Sequence, residues 1–241
     1  LYYLNDMKKQ KFDELAKKYD YWFLQNKNML YSEVKLVAKV LKEGGDIYSV
    51  GCGSGLFEKI LREEFDIHVN YGLEPSSDMA SIATSRGLKV DVTTAEVATY
   101  GGKTYDTIIY NGSPSYITDL EECVRRSYKA LRKGGKIILI DVPKESSYGL
   151  LYNLAMSVGS WDDKLVQGVY PRNPYPIEMV RSANWRTTQE KIDVLEKVGF
   201  SNLTFAQTLT KHPLYSDNII EEPIEGYDSG DYVAVCAYKF D

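Results

Sequence analysis

The chain has 241 residues, with 44% hydrophobic and 26% charged residues and a net charge of -5. This composition is that of a globular protein, and it excludes a disordered or collagen-like chain. No apolar run reaches the ~18 residues of a transmembrane helix, and residues 1–10 lack the pattern of a secretory signal. We therefore expect no membrane partner. The acidic balance also disfavours nucleic acid, whose binders usually carry a basic face.

Cysteine and histidine are sparse in this chain. Cys52, Cys123 and Cys236 lie far apart and form no CxxC pair, a pattern typical of a reducing cytoplasm rather than of a disulfide framework. The only histidines are His68 and His212, so Cys/His clustering for a zinc site is missing. We expect a cytoplasmic protein without a structural metal.

Helical spacing of apolar residues predicts two N-terminal helices, Phe12–Leu24 and Tyr31–Leu41. Strand and helix patterns alternate after Gly45. The predicted strands are 47–50, 69–73, 88–92, 106–110, 136–142, 203–207 and 231–239. The predicted helices are 56–64, 77–85, 119–131 and 187–198, with a short further helix at 150–158. This order predicts an α/β fold: a Rossmann-like three-layer sandwich with a mostly parallel seven-stranded sheet and an antiparallel last strand.

A glycine-rich turn, Gly51-Cys52-Gly53-Ser54-Gly55, joins the first strand to the next helix. Glycines at this place let the backbone approach a ligand closely. Glu74 ends the second strand, where a carboxylate can accept both hydroxyls of a ribose. The pair predicts an adenosine-type ligand. The competing nicotinamide dinucleotide fingerprint needs a small third residue, and Leu56 stands there instead.

Six segments in order resemble the class I S-adenosylmethionine-dependent methyltransferases, and among them the small-molecule group that includes the ubiquinone/menaquinone-biosynthesis methyltransferases. The resemblance covers residues 12–200, with the insertion after the fifth strand as its weakest part. The segments are Phe12 to Phe23, Val50 to Gly55, Leu73 to Met79, Tyr105 to Asn111, Leu131 to Gly135 and Leu195 to Phe200.

The resemblance implies S-adenosylmethionine as cofactor, with S-adenosylhomocysteine as its product. The cofactor-binding residues that it implies are Tyr19, Gly51, Cys52, Gly53, Gly55, Glu74, Pro75, Met79, Thr94, Ala95, Glu96 and Asn111. Two positions depart from the family pattern. Ser49 stands where the family usually has an acid two residues before the first glycine, and Thr94 stands where an acid often reaches the adenine amine.

The resemblance implies a single methyltransferase domain over residues 1–241. Residues 1–45 form an N-terminal helical lid, 46–142 the cofactor-binding core, 143–184 a cap insertion, and 185–241 the C-terminal part of the core. Long connections in compact domains are uncommon and often functional. We therefore expect the cap to form the acceptor pocket.

Aromatic and basic residues in or near the cap are candidates for binding the acceptor: Tyr152, Trp161, Arg172, Trp185 and Arg186. The arginines could pair with a carboxylate or phosphate, and the aromatics could equally form the core of the cap. Tyr116 and His212 are the catalytic candidates. Tyr116 could orient an acceptor or simply pack, and His212 could be a base or a solvated loop residue.

The sequence predicts methyl transfer to a small molecule at N, O, C or S, with alignment of donor and acceptor as the main catalytic contribution. The alternatives are a methyltransferase acting on tRNA or protein, and a non-catalytic module that binds the cofactor. The oligomeric state is left open.

Overall fold

The computed structural model describes residues 18–240. Residues 18–25 belong to a first helix, α1. The later helices are α2 (Lys27–Leu41), α3 (Leu56–Phe65), α4 (Ser77–Ser85), α5 (Leu120–Ala130), α6 (Ser147–Val158), α7 (Ile177–Ser182) and α8 (Thr188–Val198). The strands are β1 (Ile47–Val50), β2 (Tyr71–Leu73), β3 (Lys89–Asp91), β4 (Tyr105–Asn111), β5 (Leu131–Asp141), β6 (Ser201–Thr208), β7 (Ile224–Glu225) and β8 (Tyr232–Tyr238).

The strands form one sheet in the order β3-β2-β1-β4-β5-β8-β6-β7. Strands β1 to β5 pair in parallel, and β8 runs antiparallel to both β5 and β6. The predicted mostly parallel sheet with an antiparallel last strand is confirmed. The predicted number of seven strands is wrong, because β7 adds an eighth through Ala206 and Gln207 of β6. Two residues are too few to show a strand period in the sequence.

Both faces of the sheet are covered by apolar side chains. Ile109, Ile138 and Ile140 belong to one buried cluster, and their neighbours Ile108 and Leu139 belong to the other. This alternation follows from the opposite directions of successive side chains along a strand. Helices pack over each face, which gives the predicted three layers.

Two helices begin several residues before their predicted starts, whereas the bounds of the helices at 56–65, 120–130 and 188–198 differ from the prediction by one residue at an end. Helix α2 begins at Lys27 rather than Tyr31. Helix α6 begins at Ser147 rather than Leu150, because Ser146 accepts a hydrogen bond from the Gly149 N–H at 3.1 Å and so caps it. The predicted helix at 12–24 lies partly outside the described residues.

The carboxyl ends of the parallel strands lie along one edge of the sheet, where such folds bind ligands. The glycine turn follows β1, Glu74 follows β2, Gly112 follows β4, and Asp141 ends β5. Within residues 18–240 no helix is long and apolar enough to cross a membrane.

Candidate active site

The glycine turn has a backbone that tolerates no side chain at its first position. Gly51 has φ +72°, and a Cβ there would lie 2.6 Å from the Ser113 Cβ. Gly53 has φ +56°, and its Cβ would meet only the Met79 sulfur and the Tyr19 ring, at 3.7 and 3.9 Å. Left-handed backbone of this kind favours glycine. The turn therefore presents bare backbone to the space beside it.

That space is the glycine-loop cavity, and most of the predicted cofactor residues line it. These are Tyr19, Gly51, Gly53, Glu74, Pro75, Met79, Thr94, Ala95, Glu96 and Asn111. Cys52 lines a smaller recess next to it. Gly55 does not line this cavity; a Cβ at this position would lie 3.2 Å from Ala83 in α4.

Glu74 is oriented by two backbone N–H groups. Gly53 N donates to Oε2 at 3.0 Å and Ser76 N donates to Oε1 at 2.9 Å. The side chain is only 5% exposed, so its carboxylate is fixed at the end of β2 and faces the cavity. The bare glycine backbone and this fixed carboxylate fit an adenosine-bearing ligand.

A second cavity, the aromatic chamber, lies between α1, α2, the sheet edge and the insertion. Its walls are mostly aromatic rings: Tyr19, Trp22, Phe23, Tyr116, Tyr152, Tyr175, Trp185 and Tyr232. Glu33, Gly112, Asp141 and Val142 complete the lining. Tyr19, Gly112 and Tyr116 line both the chamber and the glycine-loop cavity. The two cavities therefore meet at these three residues.

Hydrogen bonds hold the chamber walls together. The Tyr116 and Tyr175 hydroxyls lie 3.0 Å apart, and the Tyr232 hydroxyl donates to Asn111 Oδ1 at 2.9 Å. Burial raises the pKa of Tyr116 well above its ordinary value. A tyrosine with a raised pKa stays neutral, so Tyr116 can position a ligand but is a poor base at neutral pH.

Two buried carboxyl groups, Asp141 and Glu33, line the chamber and differ in their hydrogen bonds. Asp141 accepts from Ser115 N at 2.7 Å and from Val142 N at 2.9 Å. Burial raises the pKa of Asp141, and the nearby Lys191 cation opposes that rise. Glu33 is 6% exposed, and within residues 18–240 its carboxylate has no hydrogen bond or ion pair. Burial, with the Asp141 charge, raises the pKa of Glu33 to about 8.

Several predicted acceptor residues lie outside the chamber wall. Trp161 lies behind Tyr152, at 6.2 Å between ring centroids, and donates its Nε1–H to Tyr175 O at 2.8 Å. The Arg186 guanidinium donates to the Pro114 and Ile117 carbonyls at 2.6 and 2.8 Å. Arg172 is exposed. Only Tyr152 and Trp185 of the predicted set line the chamber.

His212 lies away from both cavities. Its ring is exposed, and Nδ1 accepts a hydrogen bond from Leu214 N at 3.1 Å, within its own loop. This placement is that of a solvated loop residue rather than of a base beside the acceptor.

Sequence reasoning missed Glu33 and Asp141, although one signal for Glu33 was present. Leu30, Val34, Val37 and Leu41 form the apolar stripe of α2, and Glu33 falls on that stripe rather than on the solvent face. A carboxylate on an apolar stripe is expensive to bury and therefore points to a special role.

Comparison with known proteins is consistent with this geometry. A family model described as a methyltransferase domain matches residues 8–204. A crystal structure of a SAM-dependent methyltransferase and possible histamine N-methyltransferase from Thermotoga maritima superimposes with a TM-score of 0.78. It is 28% identical and covers 95% of this chain and 98% of that one.

Two curated relatives differ in how much of their length is matched. An uncharacterized protein of Methanocaldococcus jannaschii is 27% identical, over 95% of this chain and 98% of its own length. Phosphoethanolamine N-methyltransferase 2 of Caenorhabditis elegans is also 27% identical, over 76% of this chain. The match spans only 39% of that relative's length.

The fold, the glycine turn and these matches define a class I methyltransferase that depends on S-adenosylmethionine. The chain belongs to the methyltransferase-domain family, and S-adenosylmethionine is its cofactor. Among residues 18–240 no cluster of His, Cys, Asp or Glu has the arrangement of a metal site.

Proposed function

We propose that this enzyme methylates the nitrogen of a small amine bound in the aromatic chamber, with the cofactor in the glycine-loop cavity. Glu33 carries the proposal. A carboxylate that is only 6% exposed and has no partner within residues 18–240 is costly unless a ligand supplies one. An ammonium group supplies both the opposite charge and the hydrogen-bond donors.

The rest of the chamber favours the same kind of ligand. Aromatic faces attract cations, by roughly 2 kcal/mol when the pair is desolvated. The described residues that line the chamber include no Lys, Arg or His. Asp141 already has two N–H donors and the nearby Lys191, whereas Glu33 has no such compensation. These features support a cationic acceptor rather than a carboxylate or a phosphate.

When bound, the cofactor supplies a methyl group activated by its sulfonium. Because its pKa is about 8, Glu33 is mostly protonated in the free protein at neutral pH, and it gives this proton to solvent when the ammonium binds. The carboxylate formed in this way pairs with the ammonium and then takes one of its protons, which leaves the nitrogen with the lone pair that attack requires. A carboxyl group with a pKa of about 8 suits this exchange near neutral pH. Tyr19, Gly112 and Tyr116 border the opening between the cavities, so they align acceptor and donor.

The names of two relatives point to a nitrogen acceptor, and one of them names a phosphorylated amine. The Thermotoga maritima structure and the Caenorhabditis elegans relative are both named as N-methyltransferases, the first as a possible one. Phosphoethanolamine carries a phosphate, and the described chamber residues offer no basic side chain to bind it. We therefore propose an amine without a phosphate group.

The test is a screen of 2-arylethylamines and short alkylamines, each paired with its alcohol, using methyl-labelled S-adenosylmethionine. We expect transfer to amines and none to the matched alcohols. Glu33→Gln should raise KM for the amine at least tenfold, while Glu43→Gln, at an exposed position in the turn after the same helix, should not. Transfer to alcohols alone, or to tRNA or protein alone, would overturn the proposal.

A further inference from the structure

A recess next to the glycine-loop cavity contains a carboxylate that the proposed function does not use. The recess shares Tyr19, Gly51, Gly53 and Asn111 with the glycine-loop cavity, so the two spaces are continuous. Glu58, in the first turn of α3, is the only carboxylate among the described residues that line it. It is 6% exposed.

Ser49 positions this carboxylate. The Ser49 hydroxyl donates to Glu58 Oε1 at 2.7 Å, and Ser49 is 1% exposed. Burial raises the pKa of Glu58, while the Ser49 hydrogen bond and the charge of Arg86 lower it. Arg86 itself is paired with Asp20 at 2.7 Å. The carboxylate keeps lone pairs for a further donor, because an ionised carboxylate has about four acceptor sites.

We propose that Glu58, held in place by Ser49, binds the α-ammonium at the methionine end of the cofactor. Position 49 is where the family resemblance expects an acid. In this chain the Ser49 hydroxyl stands at that position, and its hydrogen bond orients the carboxylate of Glu58 in the first turn of α3. The inference concerns the cofactor alone and holds whatever the acceptor is.

The other carboxylates near the cofactor are placed for different partners. Glu74 accepts from Gly53 N and Ser76 N at the end of β2. Glu96 accepts from Thr118 N at 3.3 Å, and it lines the glycine-loop cavity but not the recess. An ammonium that leaves water needs an opposite charge within hydrogen-bond distance. In the described part of the recess Glu58 alone offers one.

The experiment compares two ligands by calorimetric titration without any acceptor. S-adenosylhomocysteine has the ammonium, and 5′-methylthioadenosine lacks the amino-acid end. Glu58→Gln should weaken S-adenosylhomocysteine roughly 10- to 100-fold, as expected for a lost charged hydrogen bond. It should change the affinity for 5′-methylthioadenosine less than about twofold. Glu63→Gln, on the exposed face of the same helix, should change neither.

Equal weakening of both ligands by Glu58→Gln, or no weakening of either, would overturn the proposal. If Glu58→Gln does not fold, the same two titrations of Ser49→Ala test the proposal. It should weaken S-adenosylhomocysteine about threefold and spare 5′-methylthioadenosine, and an unchanged affinity for both would count against the inference. These measurements need no methyl acceptor, so failure of the amine proposal leaves their outcome unaffected.

Discussion

Arg86 and Asp20 form an ion pair, with 2.7 Å between Nη2 and Oδ2, that fixes α1 to the glycine turn. Arg86 Nη1 also donates to Ser54 O at 2.8 Å, and the Ser54 hydroxyl contacts Asp20. Both charged side chains are mostly buried. One cluster therefore joins α1, the glycine turn and the end of α4.

Asp20→Asn should loosen α1, because it removes the charge that Arg86 pairs with. The free energy that holds α1 against the glycine turn should fall by about 1–3 kcal/mol. We expect faster proteolysis within residues 18–26 and weaker binding of S-adenosylhomocysteine. In the native protein the ligand should slow this cleavage. Asp66→Asn, which changes an exposed pair with His68, should leave both readouts unchanged. Equal cleavage with and without ligand would show that α1 does not respond to the cofactor.

Glu74→Ala should weaken S-adenosylhomocysteine by about 1.5–3 kcal/mol, the range for a hydrogen bond to a charged group. The physical reason is that the fixed carboxylate would no longer accept the ribose hydroxyls. Calorimetry measures the change, and Glu196→Ala on the exposed face of α8 serves as the control. An unchanged affinity would mean that the ribose lies elsewhere in the cavity.

Glu33 should make the free protein less stable as pH rises. Its pKa is raised from 4.5 to about 8 in the folded state, so the folded protein binds more protons than the unfolded chain between these values. The contribution of Glu33 is fully present below about pH 4.5 and is lost as pH rises through about 8, by up to about 5 kcal/mol, since each pH unit between these values costs about 1.4 kcal/mol. Asp141 and the surrounding tyrosines face the same carboxylate, and their ionisation would add to the loss.

The check is the melting temperature of the native protein and Glu33→Gln from pH 5 to pH 9. The variant should lose less stability than the native protein over this interval, since its amide does not titrate. Parallel curves would mean that Glu33 is ionised and compensated throughout.

Tyr116→Phe and His212→Ala should both retain catalysis, for different reasons. The pKa of Tyr116 is raised, so its hydroxyl is a poor base, and loss of that hydroxyl should slow turnover less than about fivefold. The same change removes the hydrogen bond to the Tyr175 hydroxyl and should lower the free energy of unfolding by ~1 kcal/mol. His212 lies in an exposed loop, and its replacement should change neither turnover nor stability. If either variant turned over about a hundredfold more slowly, that residue would have a direct part in the chemistry.

The sequence could predict which residues line the glycine-loop cavity because that cavity depends on local features. Short stretches of sequence determine the glycine turn, the position of Glu74 and the ends of the strands. The parallel arrangement of the strands then brings them to one edge of the sheet. The short β7 was not predictable, since its pairing with β6 depends on tertiary contact rather than on a two-residue pattern.

The aromatic chamber was harder to predict because its walls come from distant segments. Tyr175 meets Trp22 at 4.8 Å between ring centroids and Tyr116 through its hydroxyl, and nothing in the local sequence specifies either contact. Arg186 looked like an anion ligand, yet three backbone carbonyls occupy its guanidinium. Backbone carbonyls in turns need hydrogen-bond donors, and the sequence does not show which side chain will supply them.

The Trp22 indole N–H donates to Asn173 O at 3.0 Å, and the Asn26 amide donates to the same carbonyl at 3.3 Å. The chamber is thus roofed by two segments that lie far apart along the chain, and neither belongs to the glycine turn. Under the proposed function, acceptor choice should change when these two segments are exchanged together, with Tyr19 and Asp20 of α1 retained because they border the glycine-loop cavity and hold the glycine turn. Relatives with one shared core could acquire different substrates by this route, provided that both segments are replaced as a matched pair.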